Sequence, residues 1–174
     1  EDRKKEYYKI ISQETSRLTA MINKILNFSK MEAGKRTYRL QVIDLNEVVR
    51  EVVEAYEYHV TQQGFSYQLE SSENKLQISG DADAITEALI NLLDNALNYS
   101  PPDAPVTVRL FQQANQAVIQ VSDRGRGIPL ADQTEIFQPF YRVDVDRCRS
   151  TGGTGLGLAI VNTLLTQMRG TISV

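Results

Sequence analysis

Three asparagines on one predicted helix are suited to binding a metal-phosphate complex. Asn91, Asn95 and Asn98 are four and three residues apart, so they share one face of the helix. Their amide oxygens can act as metal ligands without adding full negative charge beside a phosphate. A polar surface stripe, with Asn98 beginning the helix cap, is the alternative for these three residues taken alone.

The segment DRGRGIP could contact a flat ligand. Asp123 ends an apolar strand, and a carboxylate there can accept a hydrogen bond from an exocyclic amine such as that of adenine. Gly125 and Gly127 follow, and glycines let a backbone approach a ligand where side chains would clash. A tight turn without a ligand is the alternative, because Asp-x-Gly occurs in many loops.

A glycine-rich segment, GGTGLGLAI, directly precedes an apolar helix. Its glycines are Gly152, Gly153, Gly155 and Gly157. Backbone N–H groups and the positive helix end would face one point here, and phosphate is the natural ligand. The spacing matches neither the dinucleotide-binding G-x-G-x-x-G pattern nor the P-loop, since Leu158 takes the last glycine position and no lysine follows. A flexible hinge is the alternative.

An aromatic and arginine-rich segment lies between the two glycine segments and has the composition of a lid. Three aromatic residues can anchor it: Phe137, Phe140 and Tyr141. Arg142 is the candidate for contacting a terminal phosphate, because a guanidinium can hold two oxygens at once. Arg147 and Arg149 are expected to be solvated, and Cys148 to be an exposed thiol without a role.

His59 is the one histidine of the chain and could in principle accept a phosphoryl group. It lies in EAYEYHV, where no carboxylate follows it to act as a base and the neighbouring residues resemble an ordinary half-buried helix. We expect a structural or neutral role for it.

The elements that must position these segments can be predicted from periodicity. A long amphipathic helix is expected from about Glu6 to Ala33, and a second helix capped by Asp44 to about Gln62. A third helix is expected in GDADAITEALINLLDNALNYS, ended by Pro101, and a fourth from Leu156 to Met168. The first helix has an apolar stripe that needs a partner helix, expected upstream or in another subunit.

Alternating segments predict the strands. They are TYRLQVIDL, FSYQLE, KLQISG, a hairpin of VTVRLFQQ with QAVIQVSD, and the start of a strand at Thr171–Val174. Strands outnumber helices and do not alternate with them strictly, which disfavours a doubly wound parallel sheet. We expect an α+β fold, a two-layer sandwich of a mixed sheet with helices on one face, preceded by one long helix.

Composition excludes several classes of function. The 174 residues are 41% hydrophobic, enough for a core, and the net charge of -3 gives no basic surface for nucleic acid. One cysteine excludes a disulfide framework or a cysteine zinc site. No apolar run reaches the roughly 18 to 20 residues that a membrane span needs. We expect a fragment of a longer protein, located in the cytoplasm and without membrane contact by this segment. A missing N-terminal region could anchor the parent protein in a membrane.

In their order, these segments resemble the motifs of the sensor histidine kinases of two-component signalling. That family belongs to the ATPase superfamily that includes DNA gyrase, MutL and the ninety-kilodalton heat-shock chaperone. NLLDNALNYS resembles the N box, DRGRGIP the first glycine box, IFQPFYRVD the aromatic box and GGTGLGLAI the second glycine box. RLTAMINKILNFSKMEAGK resembles the second helix of the dimerisation hairpin. The resemblance implies a hairpin helix over residues 1–35 and a Bergerat-type ATP-binding domain over 36–174, with its last strands truncated.

The resemblance also implies roles for residues of this chain. Asn95 would coordinate Mg²⁺ on the ATP phosphates, Asp123 would bind the adenine amine, and Arg142 would act with Asn95 in catalysis. The implied ATP-contacting residues are Asn91, Asn95, Asn98, Tyr99, Asp123, Gly125, Gly127, Ile128, Tyr141, Arg142, Gly153, Thr154, Gly155, Leu156, Gly157 and Leu158. Asn91 stands where hydrolytic members have a glutamate base, which favours phosphoryl transfer over hydrolysis.

Three departures from the family pattern bear on these roles. Many members have a lysine at the position of Asn98, and here an amide supplies no charge. Many also have Asp-Asn-Gly in the first glycine box, where this chain has Arg124 and then Arg126. The H box, with the phosphate-accepting histidine, is not in the sequence.

The resemblance implies a kinase that phosphorylates a histidine on another helix, forms a homodimer through a four-helix bundle and serves the receiver domain of a response regulator. A non-catalytic ATP-sensing or scaffolding module is one alternative, and a serine kinase of the anti-sigma type is another.

Overall fold

Two compact units make up the chain, residues 1–37 and 38–174. The structure, a computed structural model, describes residues 2–62, 66–72, 74–101, 104–143 and 153–174. The predictions for Arg147, Cys148, Arg149 and Gly152 lie outside the described residues.

The first unit is built on one long helix, α1 (Asp2–Glu32), which confirms the predicted long N-terminal helix. Eight of its large apolar side chains are exposed, whereas Phe28 and Met31 near its end are buried; the exposed ones are Tyr7, Tyr8, Ile10, Ile11, Leu18, Met21, Ile22 and Leu26. Exposed apolar side chains on one helix are what the sequence predicts for a helix that pairs with another. Its identity as a dimerisation-hairpin helix stays a prediction. Among the described residues, no helix is long and apolar enough to cross a membrane.

The second unit contains three helices, five strands and a short 3-10 helix among its described residues. In chain order they are β1 (Gln41–Asp44), α2 (Leu45–Gln62), β2 (Ser66–Ser71), β3 (Gln77–Gly80), α3 (Ala82–Tyr99), β4 (Pro105–Gln113), β5 (Gln116–Ser122), the 3-10 helix (Glu135–Phe137) and α4 (Gly157–Gln167). Helices α2, α3 and α4 and the hairpin of β4 with β5 agree with the sequence predictions. The strand predicted in TYRLQVIDL is shorter than expected.

The strands form two small sheets. β1 pairs antiparallel with β3, and the other sheet has the order β2-β4-β5, in which β2 is parallel and β5 antiparallel to β4. Glu70 on β2 lies directly opposite Arg109 on β4, with Nε 2.7 Å from the carboxylate. The sheet is therefore mixed, as predicted, and its strand directions exclude a doubly wound parallel fold.

The core lies between the sheets and the helices. On β4, Val106, Val108 and Leu110 are buried while the alternate Arg109 is exposed, so one face of this strand points into the core. α2 packs on β2, and α3 packs on α2, α4 and β5. These contacts confirm the predicted sandwich of helices and mixed sheet. The asparagine stripe lies on α3.

Local signals set both ends of α3. Asp81 caps the first turn by accepting a hydrogen bond from the Ala84 N–H at 3.0 Å, and its other oxygen accepts one from the Arg39 N–H at 2.7 Å. The carboxylate is buried, with 8% of the residue exposed. The helix ends at Tyr99, one residue before the Ser100-Pro101 bond that cannot continue it.

The predicted strand at Thr171–Val174 is wrong. These four residues have no regular secondary structure, and neither described sheet includes them. A strand requires a neighbouring strand to pair its backbone N–H and C=O groups, and β5 has β4 as its one partner among the described strands. Alternation in a short segment does not supply that partner.

Candidate active site

The asparagine stripe of α3 faces the start of α4. Asn91 is buried, and its Nδ2 donates to the Glu87 carbonyl at 2.8 Å, so its Oδ1 is the atom that can face a ligand. A β-carbon built on Gly157 would lie 3.5 Å from the Asn95 amide and 3.6 Å from Asn91 Oδ1. Asn98, one turn later, is exposed. The structure thus brings two of the three amides to the first turn of α4.

The N-terminus of α4 has backbone N–H groups that no side chain caps. Leu156 is the N-cap and makes no side-chain capping hydrogen bond, and its own N–H donates to Thr154 Oγ1 at 3.3 Å. Uncapped N–H groups and the helix dipole attract anions. The Leu156 side chain is fully buried, so a ligand could contact this predicted site residue only through its backbone. Leu158 is half-buried.

The turn after β5 lies against the end of α3. Asp123 is exposed, and its Oδ1 accepts a hydrogen bond from the Gly125 N–H at 2.7 Å. A β-carbon built on Gly125 would lie 2.7 Å from the Tyr99 carbonyl oxygen, closer than real β-carbons come to such atoms. Glycine is therefore required at this position, and its close approach brings Asp123 to the last turn of the asparagine helix.

The rest of this turn is more open. Gly127 has a φ of +72° and open space where a β-carbon would be. The Ile128 carbonyl accepts a hydrogen bond from Gln133 Nε2 at 3.2 Å, and the residue is half-buried. The Arg126 guanidinium carbon lies 5.6 Å from the centroid of the Tyr99 ring. Of the predicted pocket residues here, Tyr99, Gly125 and Asp123 form one connected group.

The aromatic segment is joined directly to the second glycine segment. The Phe140 N–H donates to the Gly155 carbonyl at 3.0 Å, and a β-carbon built on Gly155 would lie 2.8 Å from the Phe140 carbonyl carbon. Both residues have positive φ, +65° for Phe140 and +71° for Gly155. The backbone at Gly155 therefore depends on the absence of a side chain, for its conformation and for its packing.

Tyr141 has a specific partner. Its hydroxyl donates to a carboxylate oxygen of Asp132. The pKa of Tyr141 is raised mainly by this hydrogen bond, then by desolvation and by the charges of Asp132 and Glu135. The contact fastens the aromatic segment to the turn that follows the first glycine segment. Sequence reasoning missed Asp132, because it lies nine residues from Tyr141 in a segment without periodicity.

Arg142 has the hydrogen-bond donors that a phosphate site needs. Its Nη1 donates to the Gly153 carbonyl, while Nε and Nη2 are buried and have no acceptor among the described residues. Buried guanidinium donors without acceptors are unfavourable, so an anion bound here would be stabilised. The contact of Arg142 with a phosphate stays a prediction.

A metal at this site would depend on amide and ligand oxygens. No group of three or more His, Cys, Asp or Glu residues that could hold a metal ion is found within the described part of the chain. Asn95 stays the predicted protein ligand, together with oxygens that a bound nucleotide would bring. A triphosphate fits the residues present, because Arg142 and the uncapped start of α4 both favour negative charge.

Nearly the whole chain is similar in sequence to known proteins. The family described as histidine kinase-, DNA gyrase B-, and HSP90-like ATPase matches residues 80–174. The circadian input-output histidine kinase CikA of Synechococcus elongatus is 31% identical over 175 residues, which cover 99% of this chain and 23% of that protein. The sensor-like histidine kinase SenX3 of Mycolicibacterium smegmatis is 33% identical over 159 residues, which cover 91% of this chain and 41% of that protein.

A solved structure gives the same picture of the fold. The structure of histidine kinase ThkA in complex with response regulator protein TrrA superposes with a TM-score of 0.74 at 25% identity, covering 94% of this chain and 44% of that one. The chain spans less than half the length of CikA and of SenX3, at 23% and 41%.

Proposed function

The chain belongs to the family of histidine kinase-, DNA gyrase B- and HSP90-like ATPases, and on that premise we propose that it binds ATP with Mg²⁺ and donates the γ-phosphoryl group to a histidine. The observation that carries the proposal is the pair of amides, Asn91 and Asn95, beside the uncapped start of α4. The two amides offer neutral oxygen ligands and the start of α4 offers backbone N–H donors, a combination that suits a metal-bound triphosphate.

Each part of the nucleotide has a proposed set of contacts. The adenine amine is bound by Asp123, and the turn at Gly125, Gly127 and Ile128 surrounds the base. Asn98, Tyr99 and Tyr141 line the nucleotide, and Arg142 contacts the terminal phosphate through the donors that have no acceptor among the described residues. The phosphates are further bound by the backbone of the second glycine segment: Gly153, Thr154, Gly155, Leu156, Gly157 and Leu158. Mg²⁺, held by Asn95, would neutralise charge on the phosphates.

The identity of residue 91 favours transfer over hydrolysis. An amide cannot remove a proton from water, and the Asn91 Nδ2 is already used in a hydrogen bond to Glu87. In the proposed reaction a bond forms between an imidazole nitrogen and the γ-phosphorus, the bond to the bridging oxygen breaks, and ADP leaves. Catalysis then consists of positioning and charge stabilisation by Asn95 and Arg142.

The acceptor and partners follow from the relatives. We propose that the accepting histidine lies on a hairpin helix that pairs with α1, that the parent forms a homodimer through a four-helix bundle, and that a response regulator receives the phosphoryl group. ThkA is a histidine kinase solved together with a response regulator, which supports this partner class. A cytoplasmic location is proposed because ATP is the donor. The names of the relatives favour this kinase over a non-catalytic module or a serine kinase.

The test is phosphoryl transfer in trans. The chain is mixed with a separate histidine-bearing hairpin protein, Mg²⁺ and ATP labelled at the γ position. We expect label on the hairpin that is labile in acid and stable in base, as phosphohistidine is. Asn95→Ala should abolish it, while Asn162→Ala, which changes an exposed asparagine on α4, should not.

Two results would contradict the proposal. Acid-stable label on a serine would point to a serine kinase. ATP that is bound without any label on the hairpin would point to a sensing module.

A further inference from the structure

Arg126 lies in the turn after β5, over the ring of the last residue of α3. Its guanidinium carbon lies 5.6 Å from the centre of the Tyr99 ring, within the distance at which a cation is attracted to an aromatic face. Arg126 is exposed, and Tyr99 is 42% exposed. A long arginine side chain on the surface usually samples many conformations. A contact with a ring therefore restricts the conformations of both side chains.

The contact joins the end of α3 to the turn that follows β5. Tyr99 is the last residue of α3, and its carbonyl packs against Gly125. The Gly125 N–H in turn holds the carboxylate of Asp123 at 2.7 Å. Arg126 follows Gly125 directly, so its stacking on Tyr99 closes a small ring of contacts that runs from the end of α3 through the turn and back to α3.

We propose that Arg126 is a positioning residue for the base-binding end of the site. By stacking on Tyr99 it holds the turn of Asp123 and Gly125 against α3, so that the carboxylate is in place before an adenine nucleotide binds. This inference rests on the proposed function, because it takes adenine as the ligand of Asp123. A preformed site binds more tightly, since less conformational freedom is lost on binding.

Arg126 and Arg142 have different roles in this account. Arg142 is held at Gly153, and two of its donors are buried without an acceptor among the described residues, as suits direct contact with a phosphate. Arg126 is exposed and lies over a ring instead. Arg126 should therefore strengthen the binding of any ligand that carries adenine, with or without phosphates.

The chain contains a matched control. Arg124 is two residues away in the same turn, is exposed and has the same charge. Arg124→Ala changes the net charge as much as Arg126→Ala does, but leaves the contact with Tyr99 in place. A charge effect on the nucleotide would appear in both variants, whereas a positioning effect through the ring would appear in one.

The test is a double-mutant cycle on nucleotide affinity. Dissociation constants for ATP, ADP and adenosine are measured by calorimetry, with adenosine measured by competition, for Arg126→Ala, Arg126→Lys, Arg124→Ala, Tyr99→Leu and the double variant at 126 and 99. The urea midpoint of each variant is measured beside its affinity, so that a loss of affinity can be separated from a loss of fold.

We expect Arg126→Ala to weaken binding of all three ligands by about two- to fivefold, the usual strength of an exposed cation-ring contact. Arg126→Lys should lose less, because an ammonium is more strongly hydrated and stacks less well, and Arg124→Ala should change nothing. In the Tyr99→Leu background, Arg126→Ala should have no further effect.

An unchanged affinity in Arg126→Ala would overturn the inference. So would a loss confined to ATP and ADP, which marks direct phosphate contact, or a loss that persists in the Tyr99→Leu background. If the unaltered chain binds none of the three ligands, the proposed function fails, and the inference fails with it. If the chain binds nucleotide with an affinity that does not depend on Arg126, the inference is wrong and the proposed function still stands.

Discussion

Gly155 and Gly127 offer a controlled test of how the aromatic segment is held to the second glycine segment. Their φ angles are nearly equal, +71° and +72°, so alanine meets the same backbone strain at either position. Their surroundings differ. A β-carbon at Gly155 would lie 2.8 to 3.0 Å from backbone atoms of Phe140, while at Gly127 nothing lies within 4 Å.

The expected costs follow from these distances. Alanine in the left-handed region costs about 1 to 2 kcal/mol, and its smaller entropy in the unfolded chain offsets about 0.4 to 1 kcal/mol. Gly127→Ala should therefore lower the free energy of unfolding by roughly 1 kcal/mol. Gly155→Ala adds an overpacking cost of about 1 to 3 kcal/mol, because backbone atoms cannot rotate away, for a total of roughly 2 to 4 kcal/mol.

The assay is urea unfolding followed by far-ultraviolet circular dichroism, with hydrogen exchange at the Phe140 amide measured in parallel. That amide donates to the Gly155 carbonyl, so Gly155→Ala should also speed its exchange, and Gly127→Ala should not. Equal unfolding free energies for the two variants, together with unchanged protection of the Phe140 amide, would refute the reasoning.

Three further outcomes are expected. Asp81→Ala should lower the free energy of unfolding by roughly 2 to 4 kcal/mol in urea, because it removes the cap of α3 and leaves the Arg39 N–H without its acceptor; a change below about 0.5 kcal/mol would contradict this. Tyr141→Phe should lower the urea midpoint near neutral pH. Asp132 raises the Tyr141 pKa by accepting from the neutral phenol. The stabilisation is therefore complete below the ordinary tyrosine pKa of about 10 and is lost as pH rises through the raised pKa, so a difference that grows with pH would refute it. Asn95→Ala should remove the part of ATP affinity that depends on Mg²⁺ in calorimetry, and equal Mg²⁺ dependence in the variant would show that Asn95 is not the ligand.

The features that could be predicted from the sequence are those with local causes. Asp81 and Pro101 mark the ends of α3 by capping and by steric exclusion, and both signals act within a few residues. The hairpin of β4 and β5 follows from alternation on both sides of a short turn. The glycine segments could be identified because few residues tolerate the conformations and close contacts required there.

Other features depend on contacts between distant parts of the chain. The parallel pairing of β2 with β4 follows a crossover through β3 and α3, and no local pattern encodes it. The strand predicted at Thr171–Val174 failed for the same reason, since pairing requires a neighbour. Periodicity also does not show that Leu156 faces the core, or that Arg126 lies over Tyr99, because side-chain partners arise only after folding.

The central claim is that a nucleotide binds where the asparagine stripe, the Asp123 turn and the start of α4 meet. Backbone amide resonances of the isotope-labelled chain, followed during addition of ATP and Mg²⁺, test it directly. The account predicts the largest shifts at Asn91–Tyr99, Asp123–Ile128 and Gly153–Leu158, with β1 and β3 little changed. Shifts centred on β1, β3 or α1, or no shifts at saturating ATP, would contradict it.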